Sequence, residues 1–298
     1  MKTGFLIALL FLGVIHISMA QETDNQQVSP IAVQDAFIQT GFISGGPRTG
    51  TIEDFKALAK QSTFLNSEIW DFSRNSRLWI RVKGLFSAQL GLRFRDHQKT
   101  AYKSNPLLRL GITYSGGTIF SGDFEQDEVK TSDTLISGQT GETYVIDSVT
   151  RSNITMRYKT QLIQFDANLL FRTNPQSRWS VYGGIGVTAG ASLNATTEIN
   201  YYSYLKTEMK SSDGTISSYY SDYDRNKREV FSNGSTTNLT VYIPLGIDFR
   251  LARRSEFWKR LHIFYEMRPG IETMKIPELR TYSNGTFQNS LGFRVAWD

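Results

Sequence analysis

The stretch Leu239–Leu251, LTVYIPLGIDFRL, places an apolar residue at every odd position. Leu239, Val241, Ile243, Leu245, Ile247, Phe249 and Leu251 share one face of an extended chain, with Thr240, Tyr242, Pro244, Gly246, Asp248 and Arg250 on the other. Successive side chains of a strand point to opposite faces, whereas a helix would scatter this pattern around its axis. The segment predicts a β-strand with one apolar wall.

The same period recurs on both sides of it. Phe86, Ala88, Leu90, Leu92 and Phe94 alternate with Ser87, Gln89, Gly91, Arg93 and Arg95. Leu108, Leu110, Ile112 and Tyr114 alternate with Arg109, Gly111 and Thr113. Ile163, Phe165, Ala167, Leu169 and Phe171 alternate with Gln164, Asp166, Asn168 and Arg172, and Leu170 breaks the rule. Trp179, Val181, Ile185, Val187, Ala189 and Leu193 follow, and then Leu261, Ile263, Tyr265, Met267 and Ile271, opposed by His262, Glu266, Arg268 and Gly270. The chain ends on Phe287, Leu291, Phe293, Val295 and Trp297, alternating with Gln288, Ser290, Gly292, Arg294 and Asp298.

A soluble sandwich would also alternate. These runs approach the ~9–11 residues of a tilted membrane strand rather than the usual ~5–6 of globular sheets. Short links (96–105, 173–178, 252–260) trade places with long polar segments (121–150, 200–235, 274–285), as periplasmic turns do with outer loops. The predicted class is therefore all-β, a membrane-spanning antiparallel up-and-down β-barrel of eight strands with long extracellular loops. The eighth strand is placed at 35–44 by parity, since both termini on one side demand an even number. Within the first loop, Ile52, Phe55 and Leu58 at near-helical spacing predict a short helix in 51–65.

Residues 1–20 read as a signal peptide: Lys2, an apolar run from Phe5 to Ile17, and Ser18-Met19-Ala20 before Gln21. Its removal takes one Lys and lowers the net charge from +5 to +4. Residues 21–33 read as a polar periplasmic leader and 34–298 as the barrel. No apolar run reaches the ~18 residues of a transmembrane helix. Cysteine is absent, which excludes disulfides, thiolate metal sites and a lipoprotein anchor. Lys and Arg are interspersed with Asp and Glu, so no nucleic-acid footprint is expected. The 14 Tyr and 19 Phe fit interfacial aromatic girdles.

Beyond the pattern, DFKALAKQSTFLNSEIWDFS (54–73), NPLLRLGITYSGGTIFSG (105–122), LLFRTNPQSRWSVYGGIGVTAG (169–190) and the amphipathic last strand carry a resemblance. The chain resembles the small outer-membrane β-barrels of Bacteroidota, of the PorT-like or general outer-membrane-protein barrel type. That resemblance implies a fold and a location, not a reaction. One departure is at the end of the chain, where Trp297 is penultimate and Asp298, not an aromatic residue, is last.

Chemistry is sought first on the inward face. There the pattern places Arg93, Arg95, Arg109, Asp166, Arg172, Asp248, Arg250, Glu266, Arg268 and Arg294, spaced by glycines. Charges in so narrow a space must satisfy one another, so a polar plug is expected, with an ion path as the alternative. Of the histidines, His97 falls in a short turn and His262 points inward, neither beside a nucleophile motif, so no catalytic residue, metal or cofactor is expected. Tyr201, Tyr202, Tyr204, Tyr219, Tyr220 and Tyr223 suggest a loop binding surface, set against an interfacial belt. Asp133-Thr134-Leu135 and Asp147-Ser148-Val149 match a short O-glycosylation pattern at Thr134 and Ser148. The expected role is a non-enzymatic structural or binding component of the outer membrane. It would contact outer-membrane lipid, lipopolysaccharide and a protein partner in a secretion or barrel-assembly complex. A narrow channel and a lipid-modifying barrel enzyme are the alternatives.

Overall fold

The computed structural model describes residues 31–45, 49–67, 72–74, 81–95, 102–173, 177–211, 213–252, 255 and 257–297, with backbone only at 81, 95, 102–104 and 220–225. The expected signal peptide, most of the leader and His97 lie outside these residues. The chain is nearly all strand and antiparallel. Its strands are β1 (Ile31–Gly45), β2 (Ser73–Arg74), β3 (Arg81–Arg95), β4 (Tyr102–Ile136), β5 (Thr143–Arg172), β6 (Trp179–Ser211), β7 (Ile216–Ser232), β8 (Thr237–Tyr242), β9 (Leu245–Arg250), β10 (Leu261–Lys275) and β11 (Thr281–Ala296). Two helices, α1 (Ile52–Leu58) and α2 (Thr63–Ser67), lie in the first long connection.

Pairing runs from β11 through β1, β3, β4, β5 and β6 to the tandem pair β8 and β9, then to β10, which pairs β11 again. One face of this ladder is buried and is called the inner face below. The opposite face is apolar and exposed: Leu239, Val241, Ile243, Leu245 and Ile247 are between 43% and 53% exposed. From Leu239 to Phe249, at ~3.3 Å per residue and a tilt of ~40°, this apolar band is roughly 25 Å high.

The strand that decides the fold is not continuous. Pro244 has no N–H to give to the ladder, so β8 and β9 part around it. Ile243 N–H donates to Pro269 C=O (2.9 Å) and Gly184 N–H to Pro244 C=O (3.1 Å), which carries the connection across the gap. The face assignment survives the break. On the inner face, aromatic rings lie across paired glycines: Tyr182 opposite Gly246 and Tyr242 opposite Gly186. A Cβ on Gly246 would come 2.3 Å from the Tyr182 ring, so only glycine lets that ring lie flat against the next strand.

Several expected boundaries are corrected. β1 begins at Ile31, inside the expected leader, and extends the 35–44 segment at both ends. The polar segments 121–150 and 200–235 are largely strand: β4 and β5 run 35 and 30 residues and join through a turn at 137–142. β6 and β7 form a second long hairpin, and 276–280 is a tight turn between β10 and β11. Away from an apolar surroundings both faces of a strand can be polar, so these ladders leave no period-two signature. The expected helix in 51–65 resolves into α1 and α2. Thr51 caps α1 in a reciprocal box with Asp54, which buries Phe55 and Leu58.

Candidate functional site: the charged inner face

The inner face is layered. At the end with the short connections, Arg93 (3.3 Å) and Arg294 (3.2 Å) both reach Asp35, and Arg294 Nε lies 2.9 Å from Asp248. His262, 1% exposed, has Nδ1 2.5 Å from Asp248 Oδ1 and Nε2 3.0 Å from an Arg294 nitrogen. The tautomer with its proton on Nδ1 donates to the carboxylate and accepts from the guanidinium. Above lies an apolar layer of Phe37, Leu107, Leu170, Tyr182 and Phe264, with Phe37 edge-on to Phe264 at 5.7 Å. Leu170, which breaks the sequence pattern, belongs to this layer.

Next comes the central network. Glu266 receives Arg109 Nη2 on both oxygens (3.0 and 2.8 Å) and Arg268 Nε on one of them. Arg109 Nε also donates to Asn168 (2.9 Å). Arg268 Nη1 reaches Asp166 (2.7 Å), which further accepts from Gln89 (2.5 Å), Thr113 (3.3 Å), Asn168 (3.3 Å) and the Tyr242 hydroxyl. Arg268 stacks on the Tyr242 ring and Arg109 on Phe37. Above that, Lys83 pairs with Glu272, which accepts from Asn238 (2.8 Å), itself bonded to Gln164 (2.5 Å).

The ion pairs are sorted by layer. Arg93 and Arg294 face Asp35 and Asp248; Arg109 and Arg268 face Glu266 and Asp166; Lys83 faces Glu272. An uncompensated buried ion costs several kcal/mol, so pairing within each layer offsets much of the cost of burying these charges. The remaining space is small. A cavity of about 20 Å³ bounded by Thr113, Gln164, Tyr242, Arg268 and Glu272 has room for about one water.

Of the ten inward charges expected, Arg93, Arg109, Asp166, Asp248, Glu266, Arg268 and Arg294 are brought together. Arg172 is 6% exposed, and its guanidinium nitrogens have no hydrogen-bond partner among the described residues. Arg250 is half-buried beside His262, its partner across the ladder, and the Arg95 side chain lies outside the described residues. The sequence reading did not single out Asp35, Lys83, Glu272 or Asn238, and it placed Gln89 and Asn168 on the polar face without assigning them to the network. A search for opposite charges and amides extending the inward register by one or two steps would have found Lys83 and Glu272.

The end toward the hairpins is packed differently. Phe55, Leu58 and Leu65 from the helices pack with Phe120, Phe124, Ile154, Met156, Tyr158, Leu162, Ile199 and Met274. Glu229 of β7 holds the start of α2 by accepting from the Ser62 and Thr63 hydroxyls (2.5 and 2.6 Å), and Asn233 caps Leu58 C=O (2.7 Å).

The tyrosines expected on a loop stand on strands. Tyr201 packs on this apolar cluster and stacks on Phe64 at 5.4 Å. Tyr202 and Tyr204 are half-buried in β6, whereas Tyr219 is exposed. Tyr220 and Tyr223 are placed by backbone alone, opposite Lys206 and Tyr204. Thr134 is exposed near the β4–β5 turn, and Ser148 is half-buried opposite Lys130. Among the described residues no group of three His, Asp or Glu side chains could hold a metal ion.

Neither a protein-family model nor a curated protein matches the chain. Among solved structures it is similar to Neisserial surface protein A, with 11% identity and a TM-score of 0.32 over 90% of this chain and 100% of that one. It is also similar to Ail, the attachment invasion locus protein of Yersinia pestis, in complex with the heparin analogue sucrose octasulfate. That likeness has 12% identity and a TM-score of 0.25, over 88% of this chain and 99% of that one. At TM-scores this low, the likeness adds nothing to what the chain's own strands establish.

Proposed function

We propose that this chain is an integral outer-membrane β-barrel of eight strands, sealed along its axis, that works through its outer hairpins as a structural or binding component of the envelope. Counting β8 and β9 as one interrupted strand, the ring of pairings has eight members. The exposed apolar band, roughly 25 Å high, matches the hydrocarbon thickness such barrels cross. The start of β1, the end of β11 and the links after β3, β5 and β9 share one side, away from the long hairpins, and that side becomes the periplasmic side.

The observation that carries the sealed reading is the stack of ion-paired layers, interrupted by an apolar layer and capped by the apolar cluster under α1 and α2. A conducting barrel would need a continuous polar path, and Phe37, Leu107, Leu170, Tyr182 and Phe264 interrupt it. The protein reconstituted into planar bilayers is expected to show no stable open level; stepwise conductance would make the chain a channel. A non-enzymatic role is favoured because His262 is committed to Asp248 and Arg294.

The hairpins β4–β5 and β6–β7 rise beyond the apolar band and end in exposed apolar residues, among them Ile136 (71%) and Tyr219 (67%). Exposed apolar tips on a ladder already paired below suit contact with an envelope partner. Cross-linking in intact cells is expected to trap one partner through the tips and to lose it in the pair Ile136→Ser and Tyr219→Ser. Unchanged cross-links in that variant would move the partner contact elsewhere.

A further inference from the structure

The outer wall is not uniformly covered by side chains. Gly84 and Gly116 are a directly opposed pair on β3 and β4, and both face outward. The register continues the row to Gln161 on β5 and Asn194 on β6. One row toward the middle of the band stand Phe86, Tyr114 and Ile163; one row toward the hairpins stand Thr118, Lys159 and Thr196. The glycine pair therefore opens a notch of about 560 Å³, bounded by Phe86, Tyr114, Lys159, Gln161, Asn194 and Thr196.

The notch is amphipathic along the membrane normal. Aromatic rings line its inner edge, amides its floor, and an ammonium its outer edge. Lys159 and Arg228 both pair with the carboxylate of Glu198, and Arg157 stands opposite Glu198 on β5, so cations cluster at this edge. A Cβ on Gly84 would meet nothing within 4 Å, so backbone packing does not require glycine there and the space is open to an occupant.

Resting on the membrane orientation given above, we propose that this notch seats a phosphorylated, acylated glycolipid of the outer leaflet. Its phosphate lies against Lys159 with the Gln161 and Asn194 amides, and an acyl chain descends along Phe86 and Tyr114. The cationic edge selects an anionic head, and the aromatic edge selects a chain. A neutral lipid satisfies only the second.

The test uses the full chain folded in detergent and incubated with diphosphoryl lipid A, its dephosphorylated form or phosphatidylglycerol, with retained lipid read by native mass spectrometry. Wild type is expected to retain diphosphoryl lipid A at least fivefold over both others. Lys159→Gln and, independently, Gly84→Leu, which fills the notch, are each expected to lower that retention about fivefold. Equal retention by both variants overturns the proposal, as does a preference for phosphatidylglycerol. Alkaline washing of cell membranes separates the two levels: a chain released from the membrane fails the barrel reading, whereas one that stays but retains lipid unchanged in the variants fails the notch alone.

Discussion

The same inner face is covered in two chemically opposite ways. Away from the hairpins it carries buried ions paired in layers; toward the hairpins it is covered by Phe55, Leu58, Phe120, Tyr158 and Met156 under two short helices. The difference lies in how each fails. An apolar cluster loses stability in proportion to the volume removed. An ion network fails abruptly, because deleting one member leaves its partners charged and buried.

The sharpest way to expose that contrast is Glu266→Ala. Glu266 alone receives both Arg109 and Arg268, so its loss strands two guanidinium groups with only Asp166 and amides between them. A loss of about 4 kcal/mol is expected in urea unfolding from lipid vesicles, within the range for breaking buried pairs. A loss below about 1 kcal/mol would show that water reaches this layer, which would bring the channel reading back.

Phe55→Ala tests the apolar end. Phe55 is fully buried, and its ring is 5.3 Å from Phe120. The expected cost is about 3 kcal/mol, typical of a large aromatic removed from a core. Its distinguishing mark is locality. Proteolysis should reach the first long connection while the heat-modifiable gel shift of the folded barrel persists.

How much of this contrast could be read from residues alone follows from the solvent each face meets. The outward face was legible because one requirement, apolarity, acts on every other position from Leu239 to Phe249. The inward charges were legible as their complement. The partners of those charges were not. Asp35 sits in a strand whose alternation is poor, and Lys83 and Glu272 stand just beyond the apolar runs that marked the expected strand limits. Leu170 looked like an error because a uniformly polar interior was assumed, whereas the ion-paired layers are separated by an apolar one. The hairpins were hidden altogether. Their ladders stand clear of the apolar band, where hydrogen bonds between strands impose no hydropathy pattern.

Thr51→Ala addresses the start of α1, at the apolar end. Thr51 accepts from Asp54 N–H (3.1 Å) while Asp54 accepts from Thr51 N–H (3.0 Å). Removing this cap should cost about 1 kcal/mol. Hydrogen exchange should locate the change in 51–58, leaving amides of β9 and β10 as protected as before.

The smallest effect is expected where ions are neither buried in layers nor packed by the cluster, on the hairpins. Arg151 holds the Asp127 carboxyl below its ordinary range through a hydrogen bond, and Lys210, followed by Thr131, does the same for Asp147. A carboxyl whose folded pKa is depressed contributes stability that is fully present above its unfolded value and is lost as pH falls through the folded one. The hairpins should therefore be indifferent to pH between 8 and 5 and loosen only below about 4, near the unfolded carboxyl value. Because Arg151, Asp127 and Lys210 are each about a third or more exposed, screening keeps the change small: digestion by an acid-active protease at pH 3 should cut near the turn at 137–142 and spare β9 and β10. Asp147→Asn should bring that cleavage up to pH 5. If β9 and β10 were cut at the same pH as the hairpins, the buried layers would be titrating too, and their isolation from solvent would be wrong.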